Sequence, residues 1–240
     1  MLKTMNAESI RLITFDCYGT LIDWETGMLA GLRPLMGSDL PDAKILEWYG
    51  EAEVQLESGP YLRYRDVLAR AAQELGRRAG ADVSEQAARG FAQSLITWEP
   101  FPDTVSSLQA LSRKFQLGII SNVDDDFFAE TRKKLGAEFA VVVTAQQVQS
   151  YKPSLRNFEE MLRRSGVPRE NIVHAGQSVY HDVIPAKQLG LRTVWVDRPS
   201  RRPGIGAVIH AQAEPDLKVH SVAELAAALG ATGKSGQAAS

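Results

Sequence analysis

Ile10-Arg11-Leu12-Ile13-Thr14-Phe15-Asp16-Cys17-Tyr18-Gly19-Thr20 is a short apolar run, interrupted by Arg11 and Thr14, that stops abruptly on a polar cluster. A run from Ile10 to Phe15 ending this way reads as a buried parallel strand feeding a loop. From Asp23 to about Trp98 no strand-like run follows. The periodicity there predicts helices near Glu25 to Met36, Pro41 to Glu57, Leu62 to Ala79 and Ser84 to Ile96. Breakers separate them at Gly37-Ser38-Asp39, Ser58-Gly59-Pro60 and Gly80-Ala81-Asp82. After Pro100-Phe101-Pro102 the pattern changes to strands alternating with helices, the sign of a parallel sheet covered on both faces. Strands are expected at Gln116 to Ile120, Phe139 to Val143, Ile172 to Ala175 and Thr193 to Val196. Helices are expected at Asp103 to Phe115, Asp125 to Leu135, Leu155 to Ser165 and His181 to Leu189, with Gly136, Gly166 and Gly190 at their C-caps. The expected organisation is an α/β protein whose parallel-sheet core comprises residues 1–22 and 99–229. Helical residues 23–98 are inserted after the first strand, and the small, polar residues 230–240 form a disordered tail.

The bulk numbers agree with this division. At 240 residues the chain can bury a sizeable core and still carry a smaller insert. Its 44% hydrophobic and 23% charged residues are ordinary for a globular protein. A formal net charge of -2 leaves no electrostatic footprint for nucleic acid or an anionic membrane, so the expected partner is a small molecule. Cys17 is the one cysteine, which excludes an intrachain disulfide and a cysteine-cluster metal site and suits a reducing compartment. The first sixteen residues lack the long apolar run of a signal peptide, and no stretch reaches the roughly 18 apolar residues of a membrane span. The expectation is a cytoplasmic protein.

Ligands of open parallel sheets bind beyond the carboxyl ends of the strands, so polar residues terminating each strand should converge on one crevice. Four clusters qualify: Asp16 to Thr20, Ser121-Asn122, Lys152-Pro153, and Gly176-Gln177-Ser178 with Asp182. In this order, D-x-x-x-T, S-N, K-P and G-x-S-x-x-x-D resemble the haloacid dehalogenase superfamily over nearly the whole chain. The resemblance implies a Rossmann-like core with a helical cap inserted after the first strand. It implies a covalent hydrolase in which Asp16 attacks an electrophilic carbon or phosphorus and water hydrolyses the resulting ester. Lys152 would keep the Asp16 carboxylate ionised, and Thr20, Ser121 and Asn122 would orient groups and stabilise developing negative charge.

Within that superfamily two reaction classes compete. Phosphomonoester cleavage expels an alkoxide that needs a proton, and family phosphatases carry a second aspartate two residues after the nucleophile; here that position is Tyr18. Family phosphatases also bind Mg²⁺ through an aspartate directly after the last motif's glycine, where this chain has neutral Gln177, and Mg²⁺ favours charged oxygen ligands. A halide leaves without a proton, and Phe15-Asp16-Cys17-Tyr18-Gly19-Thr20-Leu21 resembles the F-D-x-Y-G-T-L of L-2-haloacid dehalogenases. Hydrolytic dehalogenation of a 2-haloacid, with no metal or other cofactor, is therefore the leading expectation. The alternatives are a Mg²⁺-dependent small-molecule phosphatase and a ligand-binding member that has lost turnover. Asp182 would activate water or hold Lys152. Tyr18, Cys17, Gln177, Ser178 and Arg63 are the expected substrate contacts, with the Cys17 thiol packing and not reacting. Arg63 stands with Arg33 and Arg65 as a candidate anion receptor, because the dehalogenases' cap arginine after a tryptophan corresponds here to Tyr49 after Trp48. His181 beside Asp182 and the aromatics Trp24, Trp98 and Phe101 are further candidates at the crevice, and a homodimer is compatible with the family.

Overall fold

The computed structural model describes residues 6–37, 40–199 and 211–231. Six parallel strands, β1 (Leu12–Phe15), β2 (Gln116–Ser121), β3 (Val141–Thr144), β4 (Ile172–Gly176), β5 (Arg192–Val196) and β6 (Leu217–Val219), form one sheet in the order β3-β2-β1-β4-β5-β6. All four residues of β1 are buried, as a central strand covered on both faces requires. Strand order reverses between β1 and β4, which makes the carboxyl edge of that pair the topological switch point. The register pairs Phe15 with Ile119 on one side and with Ala175 on the other, so Asp16, Ile120 and Gly176 emerge at one level.

The intervening helices are α1 (Trp24–Met36), α2 (Asp42–Glu57), α3 (Tyr64–Ala79), α4 (Glu85–Ser94), α5 (Thr104–Ser112), α6 (Asp125–Leu135), α7 (Ala145–Val148), α8 (Leu155–Ser165), α9 (Ile184–Gln188) and α10 (Val222–Ala228). Both α6 and α8 have the bounds their periodicity predicts. The pattern from His181 to Leu189 divides instead into a wide helical turn at Val179–Val183 and the short α9. Neither β6 nor α10 was expected. A three-residue strand with Lys218 at its centre carries too little alternation to stand out, and it forms because β5 offers it an edge. The predicted tail falls mostly outside the described residues, and Leu229 and Ala231 pack into the core.

One apolar cluster runs continuously from the sheet through Phe15, Leu21 and Trp98 into the interior of α1–α4, where Leu32, Ile45, Leu68 and Phe91 are buried. Leu12, Ile120, Phe158 and Met161 belong to a smaller cluster on α8 and its neighbours. Two chain crossings join α1–α4 to the sheet side by side. Ile22 bridges Pro100, the Asp23 amide donates to the Glu99 carbonyl at 2.9 Å, and the Phe101 amide donates to the Leu21 carbonyl at 3.0 Å. A third tie comes from Asp124, fully buried in the loop after β2, whose carboxylate accepts from the Tyr64 and Arg65 amides at 2.9 and 3.2 Å. These amides open α3, so a sheet residue caps a helix some sixty positions earlier in the chain, and Arg63, directly before that helix, makes no side-chain cap. Arg65 adds an ion pair to Asp124 at 2.9 Å and another to Asp126 at 2.5 Å. Among the described residues no helix is long and apolar enough to cross a membrane.

Candidate active site

The crevice beyond β1 and β4 is lined from the sheet by Asp16, Tyr18, Ser121, Asn122, Lys152, Gln177, Ser178, His181 and Asp182, and from the helical side by Trp24, Glu53, Glu57 and Tyr64. Asp16 is the first residue past β1, and its amide still donates to the Ala175 carbonyl, which fixes where its side chain starts. One carboxylate oxygen accepts from the Lys152 ammonium at 2.8 Å and the other from the Thr20 hydroxyl at 2.7 Å. Gly19, at φ +94°, makes the turn that brings Thr20 back beneath Asp16. Thr20 also accepts from the Gln177 amide at 2.9 Å, tying the first loop to the last.

Lys152 is buried and its three N–H donors are all engaged: Asp16 at 2.8 Å, the Ile120 carbonyl at 3.0 Å and Asp182 at 2.6 Å. Burial acts to depress this amine, but Asp16 and Asp182 overcome it and raise its pKa, so the ammonium form holds. Burial likewise acts against ionisation of Asp182, yet Lys152 and His174 hold its carboxyl well below the usual carboxylate range. For Asp16 burial prevails over Lys152 and the carboxyl is raised, making a basic, poorly solvated carboxylate. Gly176 permits this packing: a Cβ there would lie 2.4 Å from the Asp182 carboxyl carbon. Asn122 clamps the Lys152 backbone, accepting from its amide at 2.7 Å and donating to its carbonyl at 3.2 Å. The helix that follows is begun by Asp124, so Ser121 and Asn122 are not its cap.

Several expected contacts behave differently. Cys17 is fully buried in the apolar core and does not line the crevice, because the first residue beyond Asp16 points to the opposite side of the extended chain; burial also pushes its thiol pKa well up. Arg63 is exposed ahead of α3, outside the crevice, and Arg65 is occupied by Asp124 and Asp126. Tyr18 lines the crevice but its hydroxyl is bonded to Thr131 at 2.8 Å, and burial raises its pKa well above the phenol range. Trp24 lines the wall, whereas Trp98 is buried edge-on against Tyr18 and Phe101 lies beneath the Arg198 guanidinium. Ser178 bonds His181 through its hydroxyl, and burial drops the His181 pKa to about 4, leaving a neutral imidazole.

Three crevice residues escaped the sequence reading: Glu53, Glu57 and Tyr64. Tyr49, Glu53 and Glu57 follow one another at i, i+4 and i+8 along α2, an acidic stripe continuing a buried aromatic one. That spacing was the available signal, but charged residues at helical intervals ordinarily mark a solvated face.

The donor set does not suit the Mg²⁺ that family phosphatases use. Gln177 is neutral, Asp182 is consumed by Lys152, His174 and the Ser178 amide, and among the described residues no group of three or more His, Cys, Asp or Glu is arranged around a cation.

A parallel sheet with an ionised carboxylate–lysine cluster at its switch point defines an α/β enzyme whose chemistry sits on strand ends. The family model for "haloacid dehalogenase-like hydrolase" matches residues 10–190, and the chain belongs to that family of hydrolases. It is 25% identical over 228 residues to a (S)-2-haloacid dehalogenase of Pseudomonas putida, covering 91% of this chain and 96% of the relative. A glyceraldehyde 3-phosphate phosphatase of Methanothermobacter thermautotrophicus is 38% identical, but over only 101 residues, 41% of this chain and 45% of that one. Among solved structures, the L-2-haloacid dehalogenase from Xanthobacter autotrophicus with chloropropionic acid covalently bound superposes with a TM-score of 0.77 at 19% identity, over 90% of this chain and 96% of that one.

Proposed function

We propose that the protein hydrolyses a carbon–halogen bond through an ester on Asp16, without a metal ion, in the manner expected of 2-haloacid dehalogenase relatives. The observation that carries this reading is the state of Asp16: a buried, basic carboxylate oriented by Lys152 and Thr20, in a crevice whose residues supply neither a Mg²⁺ set nor an acid at Tyr18. In the first step an Asp16 oxygen bonds to carbon as the carbon–halogen bond breaks, and the halide leaves with the electron pair. In the second, water adds to the Asp16 carboxyl carbon. Lys152 and Thr20 donate to the oxygens that gain charge, the product leaves as an alcohol, and Asp16 is regenerated. The proton that water gives up passes to the departing alkoxide oxygen, with His181 lining the crevice as a neutral imidazole, and Asp182 fixes Lys152. Residues 23–98 act as a cap that excludes bulk water during the first step.

The test is halide release across chloride, bromide and fluoride compounds with wild type and Asp16→Asn, followed by single-turnover hydrolysis in heavy-oxygen water. Label entering Asp16 first is expected; label appearing directly in product would overturn the ester. The relationship to glyceraldehyde 3-phosphate phosphatases favours a second reading, a Mg²⁺-dependent phosphatase. Hydrolysis of p-nitrophenyl phosphate that a chelator abolishes would establish it in place of the first.

A further inference from the structure

Resting on the reading that Asp16 attacks carbon, we propose that the part of the substrate remote from that carbon is a nitrogen group presenting N–H donors, an ammonium or an amide, received by Glu57 and Glu53 of α2, and not a carboxylate.

The argument begins with charge. Four carboxyl groups line the crevice, Asp16, Glu53, Glu57 and Asp182, against one ammonium, Lys152, whose three donors are already spent inside the cluster. Among the described residues no arginine lines it. Among the described residues a substrate carboxylate would find no cation free to meet it and would sit beside Asp16 and Asp182, where like charge repels it.

Hydrogen bonding points the same way. One Glu53 oxygen accepts from both the Tyr49 hydroxyl at 2.9 Å and the Tyr64 hydroxyl at 2.8 Å. Both phenol protons are thereby directed at Glu53, so neither tyrosine is available to donate to an anion. Glu57 touches only the Asn122 amide, at 3.4 Å, through one oxygen, and its other oxygen is shielded from solvent with no partner. Ser121, fully buried, likewise has a hydroxyl without a partner in the same crevice. Unpaired buried polar atoms are costly, and a pocket that keeps them is one a ligand completes. An N–H on Glu57 supplies what its free oxygen lacks, and the Ser121 hydroxyl can take either a donor or an acceptor. Burial raises both glutamates above their usual range, and an arriving positive charge offsets the cost of ionising them.

The experiment measures binding and turnover separately on the full chain. Melting temperature and calorimetry with wild type compare three unreactive probes of one shape: propylammonium, propionamide and propionate. The ammonium or the amide is expected to bind at least about tenfold more tightly than propionate. In Glu57→Gln and Glu57→Asp the ammonium preference should fall, more for Gln, while near-ultraviolet circular dichroism checks that each variant is folded. Propionate binding as tightly as either nitrogen probe, or no nitrogen probe binding in the millimolar range, would overturn the proposal. Halide release from 2-chloropropionamide and 2-chloropropionate is followed in parallel. Faster release from the carboxylate sinks this inference and keeps the dehalogenase reading. Selective nitrogen binding with no halide released from either compound sinks that reading and keeps this one.

Discussion

The two walls of the crevice are built on opposite plans. On the sheet side, Asp16, Thr20, Lys152 and Asp182 hang from loops that follow β1, β3 and β4, His174 of β4 backs them, and although the Ser121 hydroxyl has no partner, every ammonium proton of Lys152 has an acceptor. On the α2 side, Glu53 is held by the Tyr49 and Tyr64 hydroxyls, while Glu57 keeps one shielded oxygen without a partner. A saturated network is pre-organised and changes little when a ligand arrives; an unsaturated one waits for the ligand to finish it. If the proposed reaction and the proposed receptor are right, reaction chemistry and substrate choice are carried by separate pieces of chain, so they should fail separately.

Asp16→Asn strikes the sheet wall hardest, and loss of the nucleophile should lower kcat by about 10⁵-fold with little change in melting temperature, read from halide-release kinetics and a thermal melt. Lys152→Ala should remove turnover and also stability. Two buried carboxylates lose their counter-ion, at a cost of about 3–5 kcal/mol in urea unfolding. A variant as stable as wild type would mean the sheet wall is not the linked network described. His181 offers a pH test of the same wall. Its folded pKa of about 4 lies below the ordinary histidine value of about 6.5, so the unfolded chain binds the extra proton between those values. Stability contributed by keeping it neutral is complete above about pH 6.5 and is lost as pH falls toward 4. His181→Gln should remove up to about 3 kcal/mol of the stability change across that window relative to wild type, read from urea unfolding at several pH values.

Asp124 joins the two walls, and Asp124→Ala should cost about 1–3 kcal/mol by leaving the α3 amides and Arg65 without their acceptor. A rise in KM larger than the fall in kcat would show the α2–α3 wall displaced while the sheet wall stays intact. Arg63→Ala is the smallest effect. As an exposed residue outside the crevice it should shift stability by no more than about 0.5 kcal/mol and leave KM unchanged.

The sheet wall was legible because strand-end residues are marked twice, by an apolar run that stops and by a polar cluster that begins. Asp16 stands out in this way, Lys152 and Asp182 by the K-P and G-x-S-x-x-x-D patterns of the family resemblance, and the fold brings both carboxylates within 2.6–2.8 Å of the Lys152 nitrogen. The α2 wall was illegible for a physical reason. Glutamates at four-residue spacing look identical whether they face water or a crevice, and only the placement of α2 over the strand ends decides. Arg63 misled for the converse reason: a cation near the right place in sequence was read as a receptor for the substrate's anion, while it stands outside the crevice and the helix start it precedes is capped from the sheet side by Asp124. Cys17 lies one residue from Asp16, yet extended backbone turns adjacent side chains to opposite faces, so proximity in sequence became separation in space. Strand β6 needed its neighbour to exist at all.

That separation has a chemical consequence. A carbon electrophile reactive enough to alkylate a buried carboxylate would alkylate a thiolate more readily, and the chain's one thiol sits beside the group it must attack. With Cys17 fully enclosed in apolar packing and its thiol held protonated by burial, such a compound meets oxygen and not sulfur at the point of entry. Under the proposed reaction, the fold thus armours the protein against inactivation by its own substrate.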